Sequence, residues 1–257
     1  MLRNMVVAIF VIIIPVFLFI GFHGSLNAGE IKIVENSNSA TLASGSVSGI
    51  IKFDDNYPKT KRIRVSKDNE ICGNIKKSKQ FIVNRENKGL KNVLVTIEGV
   101  KGGKKPSPVE AISVEQAGCS YSPHFQVAEL GADGIKLTVI NKDGILHNIH
   151  SYLGKKTLFN IAQPKFKKRL SKKLTEPGVV KFKCDVHNWM EAYVVVLKDQ
   201  PYYSVTDVDG RFSIDGIPPG TYTVKAWHEA LGNMEKTVEI ASDAIAELDF
   251  VIKPKGK

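Results

Sequence analysis

The stretch from Phe182 to Met190, FKCDVHNWM, places a thiol, an imidazole and a thioether at three-residue intervals, in Cys184, His187 and Met190. It directly follows Val179 to Phe182, a run that is typical of a β-strand. Soft sulfur donors together with imidazoles suit copper in both of its oxidation states. A loop of this length can close around one ion, so the sequence predicts a metal site at the end of a strand.

A further imidazole ligand must come from a neighbouring strand. The stretch NKDGILHN, from Asn141 to Asn148, offers His147, which lies 37 residues before Cys184 and leaves room for an intervening strand and loop. Two imidazoles and a thiolate in one plane, with a weak axial thioether, form the ligand set of blue-copper sites. Structural zinc sites do not use thioethers, and iron–sulfur clusters need more than the three cysteines of this chain. The alternative is that these side chains have only structural roles.

Short alternating runs of apolar and polar residues occupy most of the chain. Runs of β-branched and aromatic residues bounded by Gly, Pro, Asn or Asp predict strands, and no window of twelve residues keeps an uninterrupted helical stripe. We therefore predict an all-β protein of sandwich type. The clearest runs are Val47 to Phe53, Ile63 to Val65, Val93 to Ile97, Ile112 to Val114, Ile135 to Ile140, Val179 to Phe182, Ala192 to Leu197 and Thr221 to Ala226.

The two ligand motifs resemble those of the cupredoxins, the small blue copper proteins. Asn-x-Asp…His-Asn followed by Cys-x-x-His-x-x-Met matches their pattern, and the tight second loop is most similar to that of amicyanin, as in methylamine-utilization-type cupredoxins. The resemblance covers roughly Val109 to Lys198. It implies a Greek-key sandwich that holds one type 1 copper ion and transfers single electrons.

The resemblance also implies roles for single residues. Asn148 would tie the two ligand segments together, and His187 would be the ligand edge that reaches solvent. Asn188 and Trp189 would form part of the docking surface for a redox partner such as a cytochrome or a dehydrogenase, with a core aromatic as the alternative for Trp189. The implied ligands are His147, Cys184 and His187 in the equatorial plane and Met190 on the axis.

Cys72 and Cys119 lie outside the copper motif. In an exported protein thiols oxidise, so a disulfide between the two is the first interpretation. Cys119 and His124 could instead belong to a second metal site, although two ligands are weak evidence for one.

The N-terminus has the layout of a secretory signal peptide. After Arg3, the sixteen residues from Met5 to Ile20 carry no charged or polar side chain, and small and polar residues follow from Gly21 to Ala28. Cleavage after Ala28 predicts a periplasmic or otherwise exported protein. An uncleaved anchor is the alternative; no later stretch is long and apolar enough to span a bilayer.

The end of the chain predicts a second, smaller sandwich. Between Val205 and His228, short strands are joined by Asp209-Gly210 and Pro219-Gly220, pairs that favour tight turns. The string resembles the carboxypeptidase regulatory-like (transthyretin-like) domain, which is non-catalytic and opens with a Gly-x-Val-x-Gly strand. Gly45 to Gly49 has that character.

We therefore expect a signal peptide over residues 1–28, an N-terminal β-region over 44–99, a cupredoxin domain over 109–198 and a regulatory-like sandwich over 201–254. In one hypothesis the second and fourth segments form a single sandwich that is split by the cupredoxin domain, since insertion at a surface loop is physically easy. In the other hypothesis they are independent β-units. Only the first hypothesis requires their strands to touch.

The charge of the chain bears on which partners it could bind. The 257 residues carry 36 Lys and Arg against 26 Asp and Glu, a formal charge of +10. Eight of these cations and no acidic residue fall between Lys155 and Lys173, a run that is either a solvated loop or an attraction for an acidic redox partner. Nucleic acid is not expected as a partner of an exported protein.

No nucleophile triad, phosphate loop or pair of catalytic carboxylates is recognisable, so we do not expect an enzyme. The sequence predicts an exported copper protein that passes single electrons between partners. The alternatives are a periplasmic module that binds or sequesters copper, and a metal-free scaffold for carbohydrate binding or adhesion, which only the tail suggests.

Overall fold

The computed structural model describes residues 43–54 and 60–253, in which nearly every regular element is a β-strand. The predicted signal peptide over residues 1–28 lies outside this part of the chain. Each of the eight runs predicted as strands overlaps a strand, because alternating apolar and β-branched residues suit a half-buried pleated surface. The all-β prediction is confirmed. Within the described residues no helix has the length and apolar character needed to cross a membrane.

The elements fall into three consecutive segments. The first contains β1 (Gly45–Phe53), β2 (Arg62–Arg64), α1 (Asn69–Cys72), β3 (Ile75–Lys77) and β4 (Leu94–Glu98). The second contains β5 (Ala111–Gln116), β6 (Tyr121–Ser122), β7 (Phe125–Glu129), β8 (Ile135–Asn141), β9 (His147–Leu153), β10 (Lys156–Gln163), β11 (Arg169–Leu174), β12 (Gly178–Lys183) and β13 (Glu191–Leu197). The third contains β14 (Tyr203–Val205), β15 (Arg211–Ile217), β16 (Gly220–His228), β17 (Gly232–Ile240), β18 (Ile245–Glu247) and β19 (Phe250–Ile252).

The second segment forms one sandwich of two sheets, called the central sandwich below. One sheet has the strand order β10-β9-β12-β13-β7 and the other has the order β11-β8-β5-β6. Inward and outward side chains alternate along β8, where Ile135, Leu137 and Val139 are fully buried. β13 is buried on both faces. Val194 packs in the core of the central sandwich, and Val195 on the opposite face packs in a separate cluster with Leu94 of β4.

The first and third segments share a second sandwich, called the split sandwich. β1 pairs with β15, β18 and β19, and Gly49 lies opposite Phe212. β4 pairs with β14 and β16, and Val95 lies opposite Ala226. Apolar side chains of both segments fill a single core. The central sandwich is thus inserted between β4 and β14, as the split hypothesis requires.

A third apolar cluster joins the two sandwiches. Leu94 of β4 packs with Phe125, Tyr193 and Val195 of the central sandwich. The sheet that contains β4 and the sheet that contains β7 and β13 therefore share a buried apolar contact. Side-chain packing, as well as the covalent connections, holds the two sandwiches together.

Residues 62–77, called the cap, leave the split sandwich and pack on the central one. The cap consists of β2, α1 and β3, and β2 pairs antiparallel with β3. Val65 and Cys72 are buried in the core of the central sandwich, and Cys72 forms a disulfide with Cys119. The region predicted as one N-terminal β-unit over residues 44–99 therefore contributes to both sandwiches.

Candidate metal centre

The predicted ligands come together at one end of the central sandwich. His147 opens β9, and Cys184 directly follows β12, which pairs antiparallel with β9. Antiparallel pairing brings the start of one strand beside the end of its neighbour. The loop that begins at Cys184 carries His187 and Met190 before the chain enters β13.

Three donor atoms converge in a buried pocket. Nδ1 of His147 lies 3.9 Å from Sγ of Cys184, and Nδ1 of His187 lies 3.8 Å from the same sulfur. The two Nδ1 atoms are 3.0 Å apart. Both histidines are fully buried, and Cys184 is 1% exposed. These are the donors of a trigonal His₂Cys site, placed within reach of a single ion.

The backbone of the second ligand loop closes on itself. The Cys184 amide donates to the Met190 carbonyl (3.3 Å), and the Met190 amide donates to the His187 carbonyl (2.9 Å). The His187 amide donates to the Cys184 sulfur (3.4 Å). Met190 is 1% exposed and belongs to the same core cluster as Cys184.

A carboxylate holds each imidazole on the side away from the pocket. Nε2 of His147 lies 2.9 Å from Oδ2 of Asp143, and Nε2 of His187 lies 2.9 Å from Oδ2 of Asp68. A carboxylate only accepts hydrogen bonds, so each Nε2 carries the donated hydrogen, and in the neutral ring Nδ1 then keeps a lone pair directed into the pocket. Two such lone pairs that face each other repel unless a proton or a metal cation lies between them. The donor set therefore fits a metal ion, and carboxylates behind the ligand imidazoles are typical of metal sites.

Asn148 ties the first ligand strand to the second ligand loop. Its Oδ1 accepts hydrogen bonds from the amides of Asp185 (2.6 Å) and Val186 (3.4 Å). Its Nδ2 donates to Oδ2 of Asp185 (2.9 Å) and to Oδ1 of Asn160 (2.8 Å). These contacts are the ones expected of a residue that joins the two ligand segments.

Burial favours the neutral forms of two of the donors, Cys184 and His147. It raises the pKa of the Cys184 thiol, although nearby backbone N–H groups act in the opposite direction. It also lowers the pKa of His147, against the effect of the Asp143 hydrogen bond. A bound cation reverses the preference of Cys184, because it stabilises the thiolate, and agrees with that of His147, because metal binding needs a neutral imidazole.

The disulfide lies against the same pocket. The sulfurs of Cys72 and Cys119 lie within 4.8 Å of a ring nitrogen of His187. The amide of Cys119 donates to Asp143 (2.8 Å), the carboxylate behind the other imidazole. The cap is thereby fixed covalently beside the candidate ligands.

Cys119 and His124 do not form a second metal site. The sulfur of Cys119 is in the disulfide, and Nε2 of His124 lies 2.9 Å from Oε1 of Glu229 in the split sandwich. The side chains of His124 and Glu229 are 6% and 3% exposed, so the pair is a buried link between the sandwiches.

The expectation that His187 is the ligand that reaches solvent is wrong. The cap covers this residue, and Asp68 occupies the position beside Nε2 that a solvent-exposed ligand would leave open. Trp189 is half-buried and its Nε1 donates to the Cys119 carbonyl (3.0 Å), while its ring centre lies 5.1 Å from that of His187. Only Asn188 of the expected docking pair is exposed. The cap, which lies outside the ligand motifs, is the cause of the difference.

Two residues beside the imidazoles, Asp143 and Asp68, were not predicted to belong to the site. Asp143 lies inside the Asn-x-Asp…His motif, four residues before His147, and this position could have indicated that it supports the imidazole. Asp68 is far away in the sequence and belongs to no motif. Its role follows only from the packing of the cap.

Several solved structures are similar to part of the chain. A Cu(I) form of an amicyanin mutant is 24% identical, covers 38% of this chain and 100% of its own, and gives a TM-score of 0.29. A reduced Cu(I) amicyanin mutant at pH 4 is 26% identical, with 40% and 98% covered and a TM-score of 0.30. A purple cupredoxin from Nitrosopumilus maritimus is 26% identical, with 33% and 98% covered and a TM-score of 0.29. TM-scores this low carry no inference about ligand or activity.

Residues 173–248 match a family described as polysaccharide lyase family 4, domain II. The match runs from β11 of the central sandwich into the tail and spans less than half of the chain. It is not a match to the carboxypeptidase regulatory-like domain that the tail resembles, so that resemblance gains no support from it. No curated protein matches the chain.

Proposed function

We propose that this protein binds one copper ion in a type 1 site and passes single electrons between redox partners. The main support is the convergence of the Nδ1 atoms of His147 and His187 with the Cys184 sulfur in a buried pocket. Copper, when bound, would supply a one-electron couple between its two oxidation states. His147, Cys184 and His187 would hold it, and the Met190 thioether would be a fourth ligand.

The chain would contribute a rigid cage. The loop backbone bonds and Asn148 fix the positions of the donors, and the carboxylates of Asp143 and Asp68 fix the orientations of the imidazoles. Cys184 would lose its proton when the metal binds. A cage that holds the same geometry in both oxidation states needs little reorganisation for each transfer, which favours rapid exchange of electrons.

We also propose that the protein is exported and acts as a carrier with a redox protein as its partner, and that it is not an enzyme. The apolar N-terminal run of the sequence and the disulfide between Cys72 and Cys119 support export, since disulfides persist in oxidising compartments.

A copper-sequestering module is the second candidate. The burial of all three donors and the cap over His187 favour it, because a covered ion exchanges slowly with its surroundings. Voltammetry of the copper-loaded protein separates the two functions. A reversible one-electron wave supports the carrier, whereas a bound ion that gives no reversible wave supports the store.

The copper site itself is tested by titrating the purified protein with Cu(II) and recording the visible and paramagnetic spectra. We expect an intense thiolate-to-copper absorption that saturates at one equivalent. Cys184→Ser should lose this band, and Asn188→Ser, an exposed change in the same loop, should keep it. A band that survives Cys184→Ser would rule out the proposed ligand.

A further inference from the structure

His187 offers no exposed ligand edge to a partner. It is fully buried, the partly exposed carboxylate of Asp68 lies beside its Nε2, and the disulfide anchors the cap that carries Asp68. Electron transfer slows steeply with distance, so a partner needs another surface that lies close to a ligand.

Two loops lie at the same end of the central sandwich as the other imidazole. Residues 142–146 lead directly into His147. Residues 164–169, which are the loop 164–168 and the first residue of β11, follow Gln163, which is paired opposite His147 in the ladder between β9 and β10. Both loops therefore lie beside a candidate ligand.

One side chain ties the two loops together. Nδ2 of Asn141 donates to the carbonyl of Ile145 (3.0 Å) and to the carbonyl of Gln163 (3.1 Å). The two loops thus form one surface, which we call the basic face (residues 142–146 and 164–169).

The basic face exposes two apolar side chains. Phe166 is 81% exposed, more than any other large apolar side chain in the described part of the chain. Leu146 is 44% exposed and is joined by a peptide bond to His147. Exposed apolar groups inside a polar rim are typical of sites that bind another protein.

Exposed cations are close to these two side chains in the sequence of both loops. The only carboxylate in the two loops, that of Asp143, is buried behind His147. Lys142 pairs with Glu115 (2.7 Å), but within residues 43–54 and 60–253 none of the other cations of the face pairs with a carboxylate. A surface with unpaired charges of one sign attracts a partner of the opposite sign. The exposed cations are Lys142, Lys165, Lys167, Lys168 and Arg169.

We propose that the basic face is where the protein exchanges electrons with an acidic redox protein, in place of the covered His187 edge. This inference rests on the proposed copper function. Acidic groups of the partner would face the lysines, and its apolar surface would meet Phe166 and Leu146. In each transfer the copper-loaded protein loses one electron and the acidic partner gains one; no bond forms or breaks, and no proton moves.

Binding of a small trianion to the copper-free protein locates the face without any electron transfer. Paramagnetic hexacyanochromate(III) should broaden the amide NMR signals of residues 142–146 and 164–169 first. The triple variant Lys165→Glu, Lys167→Glu and Lys168→Glu should abolish this broadening. The matched control, Lys101→Glu, Lys104→Glu and Lys105→Glu, makes the same change of charge on exposed residues outside the face and should retain it. Broadening centred on the cap would overturn the proposal.

Kinetics with the copper-loaded protein then test the role of the face. Oxidation of the Cu(I) form by hexacyanoferrate(III) at low ionic strength should slow about tenfold in the first triple variant and less than about twofold in the control. Added salt should reduce the difference, because it screens exposed charges. Equal rates in the two variants would overturn the proposal. Failure of every variant to develop the thiolate–copper band would instead count against the copper function.

Anionic lipid is the other class of surface that lysines around an exposed phenylalanine could bind. Vesicles of phosphatidylglycerol provide the test, and we expect no cosedimentation of the wild-type protein at physiological ionic strength. Cosedimentation that is lost in both the lysine variant and Phe166→Ser would make the face a membrane-binding surface and would overturn the protein-docking proposal.

Discussion

Nε2 of His187 lies 2.9 Å from Oδ2 of Asp68, although 119 positions separate the two residues in the sequence. His187 belongs to the second ligand loop of the central sandwich, whereas Asp68 belongs to the cap. A residue from outside the ligand motifs thus completes the surroundings of the candidate centre. The cap both orients one imidazole and separates it from solvent, so its removal should change the metal site measurably.

Asp68→Ala should weaken copper binding about 10–100-fold, because loss of the carboxylate leaves the tautomer and orientation of His187 undefined. Competition titration with a chelator of known affinity measures this change. Asp68→Asn, which keeps an acceptor oxygen, should restore part of the affinity. Glu70→Ala, a change at an exposed position in the same cap, is the control. Wild-type affinity in Asp68→Ala would show that the cap carboxylate does not support the ligand.

Replacing both Cys72 and Cys119 by Ser should release the cap and destabilise the protein. The disulfide links residues 47 positions apart, and loss of such a native crosslink typically costs about 2–5 kcal/mol. Urea denaturation gives the free energy of unfolding. Hydrogen exchange should show faster exchange of the Cys72 and Gly73 amides, which are hydrogen-bonded in the closed cap. Unchanged exchange in the cap would mean that packing alone holds it.

Asn148→Ala should lower the free energy of unfolding of the copper-free protein by about 1–3 kcal/mol, because it leaves the amides of Asp185 and Val186 without their acceptor. Chemical denaturation measures the loss. Asn188→Ala removes a similar side chain from an exposed position of the adjacent loop and should change stability by less than about 0.5 kcal/mol. Equal effects of the two variants would contradict the linking role of Asn148.

His228 should make the stability of the split sandwich depend on pH. Burial, helped by the nearby His124, lowers the pKa of His228 from 6.5 to about 4. Its Nδ1 accepts a hydrogen bond from the Ala230 amide (3.2 Å), a contact that only the neutral ring can make. The unfolded chain takes up this proton near the ordinary pKa of 6.5 and the folded chain only near 4, so the free energy of unfolding falls as the pH decreases between these values.

Denaturation at a series of pH values measures the effect, which is on the order of 3 kcal/mol across this range. The pKa of the adjacent Glu229 is raised by burial and acts in the opposite direction. The difference between the wild-type and His228→Gln profiles therefore isolates His228. Parallel wild-type and His228→Gln profiles would contradict the assigned pKa.

The strands and the convergence of His147, Cys184 and His187 could be predicted because their signals are local. Cys184, His187 and Met190 lie on one loop, and alternating apolar residues mark the strands that position them. His147 could be predicted because it lies in a second short motif at a separation that allows an intervening strand.

The cap could not be predicted, because its position depends on packing between distant parts of the chain. Val65 and Cys72 look like residues of an N-terminal β-unit, yet they are buried in the core of the central sandwich. The expectation that His187 reaches solvent rests on a resemblance that covers only the central sandwich. The cap lies outside the resembling residues, and it covers the imidazole of His187. Nothing in the residues around Asp68 indicates the carboxylate's partner.

X-ray absorption at the copper edge, on protein loaded with one equivalent of Cu(II), tests the central claim most directly. The structure predicts two imidazole nitrogens and one short sulfur contact in the first coordination sphere, with the sulfur absent in Cys184→Ser and one imidazole absent in His147→Ala. A sphere of oxygen and nitrogen without sulfur, unchanged in both variants, would show that copper binds elsewhere and that the pocket of His147, Cys184 and His187 is not a metal site.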